Sequence, residues 1–99
     1  MLKEKLTLAA QNEMVLVNVI EELVRQTVDQ IISSMDMCTC EICKLNACAI
    51  ALNALNPHYV TTTKGQLLAK IPAEMLNYHT QVLVESTKAL MKVKNHPLH

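Results

Sequence analysis

The feature that most constrains this chain is a run from Ala9 to Met35 that contains neither glycine nor proline. Apolar residues recur along it at helical spacing, at Val17, Ile20, Val24, Val28, Ile31 and Met35. Spacings of three and four residues bring side chains onto one face of an α-helix. The run therefore predicts one long helix from about residue 9 to residue 35.

This predicted helix has an apolar face that is wider than one packing partner requires. The face is widened by four more apolar residues: Leu16, Val19, Leu23 and Ile32. A chain of 99 residues has little surface with which to cover such a face. We therefore expect a helical homodimer that is formed mainly by the first and last helices.

The prolines predict the limits of two further helices. Pro57 predicts the end of a second helix that runs from about Cys43 to Leu55. Pro72 predicts the start of a last helix that reaches about Lys94. The apolar face of this last helix is expected at Leu76, His79, Leu83, Leu90 and Val93.

Only one stretch favours extended structure. The β-branched run Tyr59–Thr63 predicts an extended segment, or a small hairpin that turns at Gly65 and returns over residues 66–71. With one glycine and three prolines in the whole chain, tight turns are too few for an all-β fold. The expected fold is mainly α, with a single domain over residues 1–99 and a core from about residue 9 to residue 94.

All four cysteines of the chain lie in one short segment: Cys38-Thr39-Cys40-Glu41-Ile42-Cys43-Lys44-Leu45-Asn46-Ala47-Cys48. A Cys-x-x-Cys turn is the usual way to bring two thiolates to zinc, and structural zinc takes four tetrahedral ligands. The start of the chain is too polar for a signal peptide, so we expect a cytoplasmic protein whose thiols stay reduced. The segment predicts a zinc knuckle with the ligands Cys38, Cys40, Cys43 and Cys48.

Cys48 has two interpretations. It follows Cys43 by five residues, which is about 140° around a regular helix, so both reach one ion only if the helix begins after Cys43. It also lies beside Leu45 and Leu52 on an apolar face, where a free cysteine behaves as a small hydrophobe. The alternative fourth ligands are His58, His79 and Asp36. A thiol redox cluster is the alternative to any metal site.

Several classes of function are disfavoured by what the sequence contains. A chain with one glycine cannot contain a glycine-rich phosphate loop, and no catalytic motif is present. A zinc ion with four protein ligands is structural rather than catalytic. We therefore do not expect an enzyme. No apolar run approaches the roughly 20 residues of a membrane span. Residues 1–48 hold an excess of acidic side chains and residues 49–99 an excess of basic ones, but no concentrated basic face predicts binding to a nucleic-acid polymer.

The sequence resembles the ComFB family of bacterial late-competence proteins. The resemblance covers roughly residues 14 to 72 and is carried by four short motifs: Asn18-x-x-Glu21-x-Leu23-Val24, Cys38-x-Cys40-x-x-Cys43, Ala49-x-Ala51-Leu52-Asn53-x-Leu55-x-Pro57-x-Tyr59-Val60-Thr61 and Lys64-Gly65. This chain has Asn46 where the family usually has aspartate, and Cys48 occupies a variable position.

This resemblance implies a small helical protein, usually dimeric, with zinc at the cysteines and no known catalytic activity. It also implies a regulatory role, since some members of the family are thought to be receptors for cyclic dinucleotides that control competence and motility. A structural or assembly protein, whose dimer surface binds a protein partner, is the alternative.

Arg25 is the only arginine and the natural anchor for such a nucleotide. A planar guanidinium binds phosphate in bidentate fashion and stacks on bases. Its other interpretation is a surface ion pair with Glu21 or Asp29, each four residues away on the same helix.

Overall fold

The computed structural model of the chain describes residues 13–63 and 78–97. The elements follow in the order β1 (Met14–Asn18), α1 (Val19–Ile32), α2 (Glu41–Asn53), β2 (Tyr59–Thr63) and α3 (His79–Asn95). Three helices hold most of the described residues, so the predicted mainly α fold is confirmed. None of the helices in the described ranges is long and apolar enough to cross a membrane.

The first helix is shorter than predicted because the chain enters it as a strand. The predicted helical segment Met14–Asn18 is extended, and α1 ends at Ile32 rather than at Met35. Asn18 marks the change: its side-chain oxygen accepts a hydrogen bond from the backbone N–H of Ile20 at 3.2 Å. Asn18 is the N-cap of α1. Asparagine is a preferred N-cap residue because its side chain accepts a hydrogen bond from a backbone N–H that has no partner within the helix. Residues 9–12 of the predicted helix lie outside the described residues.

The two strands form a small antiparallel sheet. Met14 lies opposite Thr63, and Asn18 lies opposite Tyr59. The extended segment at Tyr59–Thr63 is therefore confirmed, but its partner in the described residues is β1. The predicted turn at Gly65 and the return over residues 66–71 lie outside those residues.

Asn18 also joins the sheet to α1. Its side-chain oxygen accepts a second hydrogen bond, from the backbone N–H of His58 at 2.9 Å. The N–H of Val19 in turn donates to the carbonyl of His58 at 2.8 Å. These bonds fix the start of α1 against the residue that precedes β2.

The wide apolar face of α1 is covered within the chain. The buried residues of α1 are Val19, Ile20, Leu23, Val24, Thr27, Val28 and Ile32. Both α2 and α3 pack against this helix, so the face has two partners in the same molecule. Leu16, which had been assigned to the same face, lies on β1 and is 70% exposed. The width of the face thus no longer supports the expectation of a dimer.

The buried faces of helices α2 and α3, which pack against each other, contain several small residues. Ala47 and Ala51 of α2 and Ser86 and Ala89 of α3 are each 0% exposed, and this pair of helices has the most extensive contact among the described elements. The distance between packed helices depends on the side chains at the contact, so small residues let the two backbones approach closely.

Two helix predictions need correction in detail. α2 begins at Glu41 and ends at Asn53, two residues earlier at each end than predicted. The buried face of α3 consists of Val82, Ser86, Ala89, Leu90 and Val93, whereas Leu83 is 39% exposed and His79 is exposed. The predicted Leu90 and Val93 are confirmed on the buried face, which is completed by Val82, Ser86 and Ala89 rather than by Leu83 and His79. Residues 72–77 of the predicted helix lie outside the described residues.

Candidate metal centre

A tight turn after α1 brings the cysteine segment to the start of α2. The N–H groups of Ser34 and Met35 donate to the carbonyls of Ile31 and Ile32, at 3.1 and 3.2 Å. Asp36 then adopts a φ of 49°. This left-handed region is disfavoured for most residues with a Cβ, and aspartate tolerates it better than most.

Cys40 is the N-cap of α2. Its backbone is extended, with φ −69° and ψ 163°, and its sulfur accepts a hydrogen bond from the N–H of Cys43 at 3.5 Å. Its carbonyl accepts from the N–H of Lys44 at 3.1 Å. The sulfur thus occupies the place that the oxygen of serine or aspartate usually takes at a helix start. The beginning of α2 therefore sets the separation of Cys40 and Cys43.

The sulfurs of Cys38, Cys40 and Cys43 form one cluster. All three lie within 4.8 Å of one another. Zinc–sulfur bonds of about 2.3 Å at tetrahedral angles place two sulfurs about 3.8 Å apart, so small side-chain adjustments suffice. Cys38 is exposed and Cys43 is buried, and the cluster is therefore accessible from one side. These three residues can hold a metal ion.

The protonation of the cluster depends on the same geometry. The N–H of Cys43, and then the thiol of Cys38, lower the pKa of Cys40 by hydrogen bonding. Burial, and then the contacts with Cys40 and Cys38, raise the pKa of Cys43 to about 12. Three neighbouring thiolates would repel one another, so Cys43 keeps its proton in the absence of a cation. A metal ion supplies the charge that allows all three to ionise.

Cys48 lies elsewhere in the molecule. Because α2 begins at Glu41, Cys43 and Cys48 both belong to the regular helix and project about 140° apart. Cys48 is buried in the apolar core, at 8% exposure. Burial raises the pKa of its thiol, which the nearby charge of Arg25 partly opposes. The structure thus groups three of the four predicted ligands and places the fourth among apolar side chains.

The alternative fourth ligands also have defined positions. His79 begins α3, whereas the residues of α3 near the cysteines are at its far end, about 21 Å away along the helix. The ring nitrogen Nδ1 of His58 lies 3.3 Å from the hydroxyl of Tyr78. Asp36 is the one alternative that lies beside the cysteines, since it borders the same cavity as Cys38 and Cys43.

The end of α3 also borders the cavity beside the cysteines, which the sequence pattern did not predict. This cavity has a volume of about 250 Å³ and is bordered on one side by the end of α3, through Val93, Lys94 and Pro97. α3 therefore ends where α2 begins, and its last turn approaches the cysteines. No local pattern links residues 93–97 to residues 38–43, so only the packing of α3 reveals their proximity.

Arg25 lies on the exposed surface of α1. Its Nη2 is 3.3 Å from Oε1 of Glu21, and the two side chains are 52% and 45% exposed. The predicted ion pair with Glu21 is confirmed, whereas Asp29 pairs with Lys44 of α2 at 3.2 Å. The structure does not bring Arg25 to the cysteine cluster.

The fold and the cysteine cluster define a small, mainly helical protein with three clustered thiols, which could hold a metal ion, at the start of a helix. The family model described as late competence development protein ComFB matches residues 17–97. The chain belongs to the ComFB family, and the match includes α3, which the sequence resemblance did not cover.

A solved structure is similar to this chain. It is that of the late competence protein ComFB from Bacillus subtilis, which is 28% identical and superposes with a TM-score of 0.66. The similarity covers 84% of this chain and 92% of that one. A comparison with curated proteins found no match. The family membership thus links this chain to late competence development.

Proposed function

We propose that this chain is a non-enzymatic, zinc-binding regulatory protein of the ComFB type. The observation that carries the proposal is the cluster of Cys38, Cys40 and Cys43, whose sulfurs lie within 4.8 Å of one another at the start of α2. Thiolates are preferred ligands of zinc, and three thiols so close together suit a metal site.

Zinc at this cluster has a structural role. It ties the irregular connection after α1 to the first turn of α2, next to the last turn of α3. In a small protein such a tie contributes directly to folding, because the unfolded chain lacks a formed site. Asp36 is the described side chain best placed to complete the coordination, since it borders the cavity at Cys38 and Cys43.

The regulatory role is that of a receptor for a cyclic dinucleotide, cyclic di-GMP or cyclic di-AMP. Support comes from the family and from Arg25, an accessible guanidinium on α1. A phosphate must compete with Glu21 for this group. Exposed ion pairs contribute only about 0.2–1 kcal/mol, so Glu21 is a weak competitor for a doubly charged ligand.

A second candidate function is an assembly protein whose surface binds a protein partner. The observation that favours it is the exposed face of the two-stranded sheet. Met14 and Leu16 of β1 and Tyr59 of β2 are 62%, 70% and 62% exposed. Contiguous apolar patches of this kind are typical of interaction surfaces. A homodimer can form through this face, and not through the buried face of α1.

Two measurements test the proposal. Elemental analysis of protein purified without added metal should give about one zinc per chain, and a metal content near zero with four reactive thiols would contradict it. Calorimetric titration with each cyclic dinucleotide separates the two functions. Zinc without nucleotide binding would favour the assembly protein.

A further inference from the structure

A second cavity lies between α2 and the end of α3. It has a volume of about 400 Å³ and is lined by Asn46, Ile50, Lys92, Val93 and His96. It touches Val93, as the cysteine cavity does, but no cysteine borders it. Its size falls within the range of sites for small organic molecules, about 300–1,000 Å³.

The lining divides into an apolar floor and a polar rim. The floor consists of Ile50, which is half-buried, and Val93, which is 4% exposed. Lys92 lies in the last turn of α3, and His96 directly follows the helix as its C-cap. The N–H of His96 donates to the carbonyl of Lys92 at 3.0 Å, and both residues line the rim together with Asn46 of α2.

The positive charge at this rim is not compensated by a carboxylate among the described residues. The ion pairs among the described residues join Arg25 to Glu21, Lys44 to Asp29 and Lys88 to Glu85. Lys92 is absent from these pairs, and no acidic residue lines the cavity. A lysine in the last turn also interacts favourably with the helix carbonyls. That explanation applies equally to Lys94, which does not border this cavity.

We propose that this cavity binds a small organic anion with an apolar body, such as an aryl or alkyl carboxylate. The apolar body occupies the space over Ile50 and Val93, and the anionic group contacts Lys92 and His96 at the rim. The amide of Asn46 donates a further hydrogen bond. The site depends neither on the zinc site nor on nucleotide binding at Arg25.

Fluorescence titration of the zinc-loaded protein with anilinonaphthalene sulfonate tests the proposal. This probe combines an aromatic body with one negative charge. We expect one saturable site per chain, and Lys92→Glu should weaken binding about tenfold, because it replaces a charge-assisted hydrogen bond by repulsion. Lys88→Glu is the matched control: it makes the same change in net charge one turn earlier on α3, at an exposed residue that does not line the cavity, and should alter affinity by less than about twofold at physiological salt.

A second titration, with naphthoate and its neutral methyl ester, is followed by nuclear magnetic resonance. Naphthoate should shift the methyl signals of Ile50 and Val93 and leave those of Ile20 unchanged, and the ester should bind at least about tenfold more weakly. Equal effects of Lys92→Glu and Lys88→Glu would overturn the proposal, as would equal binding of acid and ester. Shifts confined to the sheet face at Leu16 would also overturn it, because the probe would then report only exposed apolar surface.

Discussion

The N–H of Cys43 donates a hydrogen bond to the sulfur of Cys40 at 3.5 Å, so one contact both starts α2 and positions two of the three clustered thiols. The contact favours the thiolate form of Cys40, whereas burial and the neighbouring thiols favour the protonated form of Cys43. The same cluster therefore shifts the pKa values of these two thiols in opposite directions. Metal binding removes this conflict.

The first prediction separates the ligands from the core cysteine. Cys40→Ser should abolish stoichiometric zinc and lower the melting temperature, because it removes a thiolate from the cluster. Cys48→Ala should retain the zinc and cost only about 1 kcal/mol through lost packing. Metal analysis and thermal unfolding of both variants provide the measurement, and equal zinc loss would identify Cys48 as a ligand.

The second prediction concerns pH. The pKa of Cys43 is raised to about 12, so its thiol holds a proton throughout the neutral range and must release it when zinc binds. Zinc affinity should therefore rise with pH, by about tenfold per pH unit for each proton released. Competition with a chelator at about pH 6 and about pH 8 measures the slope. An affinity that does not depend on pH in this range would show that the thiols are already ionised.

The third prediction tests the small buried residues of α2. Ala51 is 0% exposed, and Ala51→Leu should destabilise the protein by about 1–3 kcal/mol because a fully buried site has no room for the larger side chain. Ala49 lies on the exposed face of the same helix, so Ala49→Leu is the matched control and should change stability by less than about 0.5 kcal/mol. Urea denaturation of both variants gives the comparison.

The fourth prediction addresses the proposed nucleotide site. Arg25→Ala should weaken binding of a cyclic dinucleotide by about tenfold or more, since it removes a charge-assisted bidentate contact. Arg25→Lys should restore little, because an ammonium lacks the planar fork. Glu21→Gln should strengthen binding by a few-fold, since it frees the guanidinium from its ion pair. Unchanged affinity in Arg25→Ala, measured by calorimetry, would place the ligand elsewhere.

The fifth prediction concerns self-association. If the exposed sheet face forms the homodimer, Leu16→Lys should give a folded monomer, because a lysine on this exposed strand disturbs no core contact. Leu45→Lys on the exposed face of α2 is the control and should leave the dimer intact. Light scattering at about micromolar concentration reports the mass. A dimer that persists in Leu16→Lys would exclude this face.

Much of the structure could be predicted from local sequence. Cys38, Cys40 and Cys43 are close in the chain, so their spacing alone predicts that they share one metal ion. The central parts of α2 and α3 follow from helical periodicity and from the positions of the prolines. The extended segment Tyr59–Thr63 follows from its β-branched residues. These features depend on neighbours within a few residues, which is the range over which a sequence pattern carries physical information.

The start of α1 shows where local pattern was insufficient. Met14–Asn18 fits an apolar helical stripe, but it also alternates, with Val15 and Val17 half-buried and Met14 and Leu16 exposed. The strand forms because β2 offers its hydrogen-bonding edge, although the two segments are some forty residues apart. A contact between distant segments has no signature in either segment alone.

The sequence by itself determined the chemistry of this protein: the clustered thiols, the helical segments and the single guanidinium. Tertiary structure decided how these parts are used. It turned the wide face of α1 inward against two helices of the same chain, placed Cys48 in the core and brought the end of α3 to the cysteines. The physical reason is that thiol chemistry and helical periodicity belong to individual residues and short segments, whereas burial depends on which segments meet.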